Sequence, residues 1–335
     1  MSYVSSFRTE LPPLEGKCRI SHHDLLLSIG SCFTQHIGGR LQNLKFRNLI
    51  NPFGIVYNPI SIGNMLHYLL SDQLFTNKDL LQHNGQWHSW LHHSSFSGTE
   101  QEATLERMNR AIAEARAYLP EVNRLLLTLG TARVFVLRAT GEVVSNCHKM
   151  PAAAFTSQRL HIRDIAEGLE PALREWKRRN PELEVILTVS PVRHLREGMI
   201  ENQRSKAALL IAIQHLCEDL PYAHYFPAYE IMMDDLRDYR FYEADMIHPN
   251  AVAVDYIWQR FGAAFFTEAT RHLLREIEAV LQAAGHRPFQ PESQAHQAFL
   301  RKQIEKIVRI EAAHPDLDFA AERAQFAAGL VVPES

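Results

Sequence analysis

Short apolar runs alternate with amphipathic stretches through most of this chain, and that alternation restricts the fold more than any other feature. "DLLLSIG" (24–30) precedes an amphipathic segment from Phe33 to about Leu44. "RLLLTLG" (124–130) follows the helix-like "TLERMNRAIAEARAYL", and "EVILTVSP" (184–191) follows "IAEGLEPALREWKRR". After "ENQRSKAALLIAIQHL", whose Leu209, Ile213 and Leu216 share one helical face, comes the short strand candidate "AHYFP". Strands apolar throughout are buried on both faces, and helical crossovers between them make a sheet parallel. The expected class is therefore α/β, with a mainly parallel sheet wrapped by helices. From about Asn250 to Phe326 the pattern is mainly helical, punctuated by Gly285, Pro288 and Pro291. This divides the chain into an α/β domain over 1–262 and a C-terminal helical extension over 263–335 packed on it. The extension is a candidate surface for homo-oligomer assembly.

Three of the strand candidates end in small-residue turns: Gly30-Ser31, Gly130-Thr131 and Ser190-Pro191. In a parallel sheet all three lie on one rim, beyond the carboxyl ends, where binding sites gather. At the first turn two readings compete. A serine before a helix is a favoured N-cap. It is also well placed as a nucleophile, because the free N–H groups of the helix N-terminus favour developing negative charge. Cys32 is the rival nucleophile, since a thiolate is intrinsically better and a helix N-terminus lowers a thiol's pKa. Neighbouring side chains at such a turn point in different directions, and the small thiol suits the packed one. That favours Ser31. Far along the chain, "FYEADMIHPN" sets Asp245 three residues before His248, with Pro249 suited to a helix start. The pair reads either as a base with its orienting carboxylate or as a local cap beside an exposed histidine.

Composition removes several classes. A net charge of −3 without a long basic block gives no footprint for nucleic acid. The four cysteines form no CxxC and suit a reducing, cytoplasmic setting. "MSYVSSFRTELPP" lacks a signal-peptide profile, and no apolar run is long enough to span a membrane. Eighteen histidines include two doublets but no HExxH or comparable ligand spacing, so neither metal nor cofactor is expected.

The two candidate segments also belong to a longer set of blocks. "GSCF", "NPFGIVYNP" (51–59), "LGTARVF", "SNCHK" (145–149), "SPVRH" (190–194) and "YFPAYEIMMDDLRDYRFYEADMIHPN" occur in that order. Together they resemble the GSCFA family of the SGNH/GDSL-like hydrolase superfamily, over about residues 25–260. The resemblance implies a three-layer, flavodoxin-like α/β/α fold and a serine hydrolase acting on an O-acyl ester of a small molecule or carbohydrate. It makes Ser31 the nucleophile, His248 the base and Asp245 its partner, with the Ser31 and Gly54 N–H groups in the oxyanion hole. The GxSxG elbow of the common α/β-hydrolases is absent. Where the superfamily carries GxND, this chain has "GTAR", which puts Ala132 in the asparagine's place.

Asn146 becomes the substitute donor if "RVFVLRATGEVVSN" folds back as a hairpin; a buried structural role is the other reading. Thr131, His148 and Lys149 are pocket candidates. Arg193 suits a substrate carboxylate or phosphate, or else an internal partner such as Asp234 or Asp235. "QHNGQWHSWLHHSSFSG" (82–98) reads as a lid or an aromatic sugar platform. The missing asparagine supports an alternative: a weak or inactive protein that binds or scaffolds through the same pocket.

Overall fold

The computed structural model describes residues 9–14 and 18–331. Most of the opening segment read for a leader, and the last four residues of the helical extension, lie outside the described residues. Six consecutive buried residues form β1 (Leu25–Gly30), and α1 (Cys32–Asn43) follows after one linking residue. Next come β2 (Arg47–Ile50), α2 (Pro59–Leu70), the hairpin β3 (Leu81–His83) and β4 (Gln86–His88), and α3 (Gln101–Tyr118). β5 (Val122–Leu129) leads into a small antiparallel sheet of β6 (Arg133–Leu137), β7 (Val143–Val144) and β8 (Phe155–Arg159). The chain continues through α4 (Ile162–Arg179), β9 (Glu184–Val189), α5 (Gly198–Asp219), β10 (Ala223–Phe226) and the single turn α6 (Ala228–Glu230). It closes with α7 (Ala251–Phe265), α8 (Glu268–Ala284), α9 (Gln294–Ala313) and α10 (Ala320–Ala328).

The central sheet has the order β10-β9-β5-β1-β2, and every pairing in it is parallel. Alternation along each strand builds two cores, one on each face. Leu27 and Ile29 of β1, Leu125 and Leu127 of β5, and Val185 and Leu187 of β9 pack with apolar residues of α2, α4 and α5. Leu26, Leu126 and Ile186 point to the opposite face and meet Phe33 and Ile37 of α1 and Ile257 and Phe261 of α7. The result is the expected three-layer α/β/α arrangement. Of the five strands of this sheet, β2 escapes the sequence reading, because four residues at a sheet edge carry no continuous apolar run.

The C-terminal helices share the second core. Leu273, Leu300, Ile307 and Phe326 belong to the same buried cluster as Leu26, and Lys45 Nζ meets Glu322 Oε1 at 2.7 Å. The division drawn at 262/263 falls inside α7, which runs on to Phe265. Among the described residues no helix is long and apolar enough to cross a membrane.

This topology fixes where a site can form. Strand order reverses between β1 and β5: the chain goes from β1 outward to β2, then returns to the other side of β1. Two loops that leave a sheet in opposite directions open a crevice at their shared carboxyl end. Ser31 follows β1 and Thr131 follows β5, so both stand at that crevice.

Candidate active site

The turn after β1 is built around one glycine and one asparagine. Gly30 has φ 145°, and a Cβ there would sit 2.2 Å from the Thr128 carbonyl oxygen of β5, so no side chain fits. Its N–H donates to Asn51 Oδ1 at 2.8 Å, and its carbonyl accepts from Val56 N–H at 3.2 Å. Asn51 itself lies at φ 44°, a conformation asparagine tolerates. Because Oδ1 is held by the Gly30 N–H, Nδ2 is the amide's remaining end, and it is buried with no hydrogen-bond partner among the described residues.

Ser31 is the N-cap of α1, and its Oγ accepts from Phe33 N–H at 3.3 Å, a long contact. The hydroxyl proton has no acceptor among the described residues. The side chain is also more enclosed than a nucleophile's would be expected to be, at 2 % exposed, because the 54–57 segment runs beside the strand end. Cys32 is the more exposed of the two and packs partly against the second core. Burial raises its thiol pKa, against the pull of the Phe33 N–H and nearby Lys206. A protonated thiol is a poor nucleophile, so the helix N-terminus does not activate Cys32 here.

The late loop brings the second pair together. His248 Nδ1 meets Asp245 Oδ2 at 2.7 Å, while Asp245 Oδ1 accepts from Ile247 N–H at 2.8 Å and His248 N–H at 3.0 Å. The His248 N–H, then the imidazole and the Ile247 N–H, hold the Asp245 carboxyl down at about 2. His248 Nε2 has no hydrogen-bond partner among the described residues. Arg193 pins the loop to the rim: its N–H donates to Ile247 O at 3.2 Å and its Nη1 to Met246 O at 3.1 Å. Its guanidinium lies 4.0 Å from the Tyr242 ring centroid and 5.3 Å from that of Tyr239. Arg193 therefore faces neither Asp234 nor Asp235. The Arg193 N–H bond to Ile247 O ties this loop to the turn after β9, and His248 acts on His194, whose Nε2 lies beside Gly130 after β5, so the loop stands at the carboxyl rim of the sheet, as Ser31 does. No hydrogen bond joins Ser31 to His248 in this conformation.

The other expected residues separate. Gly54 (φ 78°) allows His93 to approach, since a Cβ would lie 2.4 Å from the His93 Cβ. Its N–H, however, donates to Asn51 O at 2.7 Å, and the Ser31 N–H donates to Thr128 O at 3.2 Å. Both expected oxyanion donors thus already have acceptors within the chain. The hairpin that was to carry Asn146 forms through β6 and β7, with Phe135 opposite Val144. Asn146 Oδ1 accepts from His148 N–H at 2.8 Å, closing a local turn. His148 is buried in that corner, its Nε2–H donating to the Ser89 carbonyl oxygen at 2.8 Å and its ring stacked on His88 at 4.4 Å. Lys149 is exposed beside it. The 82–98 segment forms the β3–β4 hairpin and packs on the 51–54 turn, with His92 stacked on Phe53 at 4.7 Å.

Thr131 does reach a pocket. A cleft of about 220 Å³ is lined by Tyr57, Thr131, His194, Arg196, Asn202 and Ser205, among others. Thr131 Oγ1 lies 2.8 Å from Ser205 Oγ, which also accepts from Ala132 N–H at 2.7 Å. Ala132 is fully buried in the first core and offers the cleft no side chain. Beneath the cleft, Lys206 is 1 % exposed and its Nζ bonds the carbonyls of Gly130 (2.7 Å) and Ser190 (2.6 Å), tying the carboxyl ends of β5 and β9 together. Burial lowers its pKa to about 7, with Cys32 acting in the opposite sense. His194 is held neutral, its pKa lowered to about 3 by burial, then by Lys206 and His248, and its Nε2 is buried without a partner.

Asn51 and His194 are the site residues that sequence reading did not select, whereas Lys206, with Asn202 and Ser205, reads from sequence as cap or pocket at the start of a helix. The signal available was their membership of "NPFG" and "SPVRH", and the Asn202–Ser205–Lys206 spacing puts three polar side chains on one face of α5. A family model described as "GSCFA family" matches residues 25–261, and one described as "GSCFA domain protein, C-terminal domain" matches residues 277–332. No curated protein and no solved structure matches the chain.

Proposed function

The chain belongs to the GSCFA family, and from that premise we propose that it is a serine hydrolase of the SGNH/GDSL-like type that cleaves O-acyl esters. One observation carries the proposal: a hydroxyl proton without an acceptor on Ser31, after β1, and an imidazole nitrogen without a partner on His248, in the loop tied to the turn after β9, stand at the same carboxyl rim of the sheet. Each supplies what the other lacks. Asp245 stays ionised and fixes the Nδ1–H tautomer, so Nε2 is the basic nitrogen.

In the proposed reaction Ser31 Oγ attacks the ester carbonyl while His248 Nε2 takes its proton. Releasing the long cap contact to Phe33 costs about 1 kcal/mol. The oxyanion is met by the Cys32 N–H, which lies in the first turn of α1 and has no intrahelical acceptor, and by Asn51 Nδ2. Asn51 thus replaces the donor absent at Ala132; Asn146, tied into its own turn, is the less suited amide. His248 then protonates the leaving alkoxide, and water releases the acid by the same steps in reverse. The cleft beside Thr131 and His194 is below the usual size of a drug-like site, which fits a short acyl group.

The enclosure of Ser31 at 2 % exposed, with Oγ capping α1, favours a second reading: a protein that keeps the pocket for binding or scaffolding. Hydrolysis of short-chain aryl esters by native protein and Ser31→Ala separates the two. The proposal expects turnover that falls by about 10³-fold or more in the variant. Equal rates in the two proteins support the binding protein instead.

A further inference from the structure

The opposite end of the sheet carries a second group of chemistry-bearing side chains. Cys18 lies in the segment leading into β1, Glu184 opens β9, and His224 is the second residue of β10. They are distant in sequence, but the parallel pairing of Ala223 with Val185 sets the amino-terminal ends of β9 and β10 side by side. The Cys18 thiol, the Glu184 carboxylate and the His224 imidazole each present one atom, and these atoms lie within 4.8 Å of one another. His224 Nε2 is 2.5 Å from Glu184 Oε2, and Cys18 is 3 % exposed. All three line an open cleft with Pro181 and Pro221.

We propose that Cys18, Glu184 and His224 bind one divalent transition-metal ion, zinc above all, with the fourth position open to water in the cleft. Thiolate, imidazole and carboxylate are the donors zinc takes, at about 2.0–2.3 Å. Tetrahedral ligands at those lengths stand about 3.3–3.8 Å apart, so the His224–Glu184 contact opens by about an ångström while the thiol closes in. Hard cations such as magnesium lack a reason to choose this sulfur and nitrogen set. On binding, the Cys18 thiol releases its proton to solvent, and thiolate and carboxylate together balance the dication.

Three cations stand near, of which Arg19 lines the cleft but turns its Nη1 to the Ala264 carbonyl oxygen at 2.8 Å. Lys177 Nζ lies 3.5 Å from Glu184 Oε1, which leaves Oε2 for the metal. Arg124 also lines the cleft, but its guanidinium is directed to the carbonyls of Arg19 and Asn123 and to Asp24 at 3.5 Å. A bound ion here ties the chain before β1 to two strands of the sheet, at the end away from Ser31.

Untagged full-length protein, freed of metal by a chelator, is titrated with Zn²⁺ alone and then with Co²⁺ alone. The proposal expects one Zn²⁺ per chain, a raised melting midpoint, and a thiolate-to-cobalt charge-transfer band in the near ultraviolet. Cys18→Ser loses the band and binds Zn²⁺ at least tenfold more weakly, as does His224→Gln, whereas Cys217→Ser keeps both. Absence of the cobalt band in native protein overturns the proposal whether or not the variants fold. So does Zn²⁺ binding that is equally tight in native protein and folded His224→Gln, which assigns the ion to other surface histidines.

Discussion

At the scale of single residues, the proposed nucleophile and base are advertised by the sequence, and most of the residues around them are not. Ser31, Asp245 and His248 are legible because each sits in a short motif whose spacing has a chemical meaning. Asn51 is not, and Lys206 is legible only as a cap or pocket residue at a helix start, because their contacts are long-range: Gly30 N–H on one amide oxygen, and the carbonyls of Gly130 and Ser190 on one ammonium. Burial hides such residues from sequence, since nothing local marks a lysine as 1 % exposed. Asn51→Asp is the sharp test, because it keeps the acceptor that holds Gly30 and deletes the Nδ2 donor. The expected outcome is a fall in kcat of about 10²–10³-fold with KM little changed, the size of a lost oxyanion donor. A kcat within about threefold of native in steady-state kinetics removes Asn51 from the oxyanion role.

At the scale of elements, the strand–turn–helix unit of β1 and α1 and the 239–248 loop do different work. The first is held by strand pairing and by the Gly30 hydrogen bonds to Asn51 and Val56. The second is tied to the turn after β9 by Arg193, through two carbonyls and two tyrosine rings. The parallel strands and crossover helices were legible from their apolar runs. The grip of Arg193 was not, because a guanidinium that follows a strand reads equally as a substrate clamp. Arg193→Met is expected to loosen the loop that carries His248. Stability falls by about 1–2 kcal/mol from the lost hydrogen bond and cation–π contacts, and kcat falls about tenfold. Denaturant unfolding and ester kinetics check both, and a large rise in KM at unchanged kcat returns Arg193 to the substrate.

At the scale of the whole molecule, two cores flank one sheet, and the C-terminal helices complete the second core rather than standing apart. The sequence showed these helices but not their partners, since an amphipathic face does not say what it covers. Stability should follow four enclosed histidines. Burial lowers His22 and His148 to about 4 and His92 and His194 to about 3. They stay neutral in the fold while the unfolded chain takes up protons near pH 6.5. Unfolding therefore gains protons between about pH 6.5 and 4, and stability falls as pH falls through that window. Urea midpoints measured across it should decline steadily; a flat profile contradicts the neutral, buried assignment.

The central claim is that Ser31 acts as a nucleophile driven by His248. The most direct measurement is labelling of the folded protein with a fluorophosphonate, followed by intact mass and peptide mapping. The account predicts one adduct, on Ser31, absent in Ser31→Ala and strongly slowed in His248→Asn. No adduct on folded native protein, or one that persists in Ser31→Ala, contradicts it.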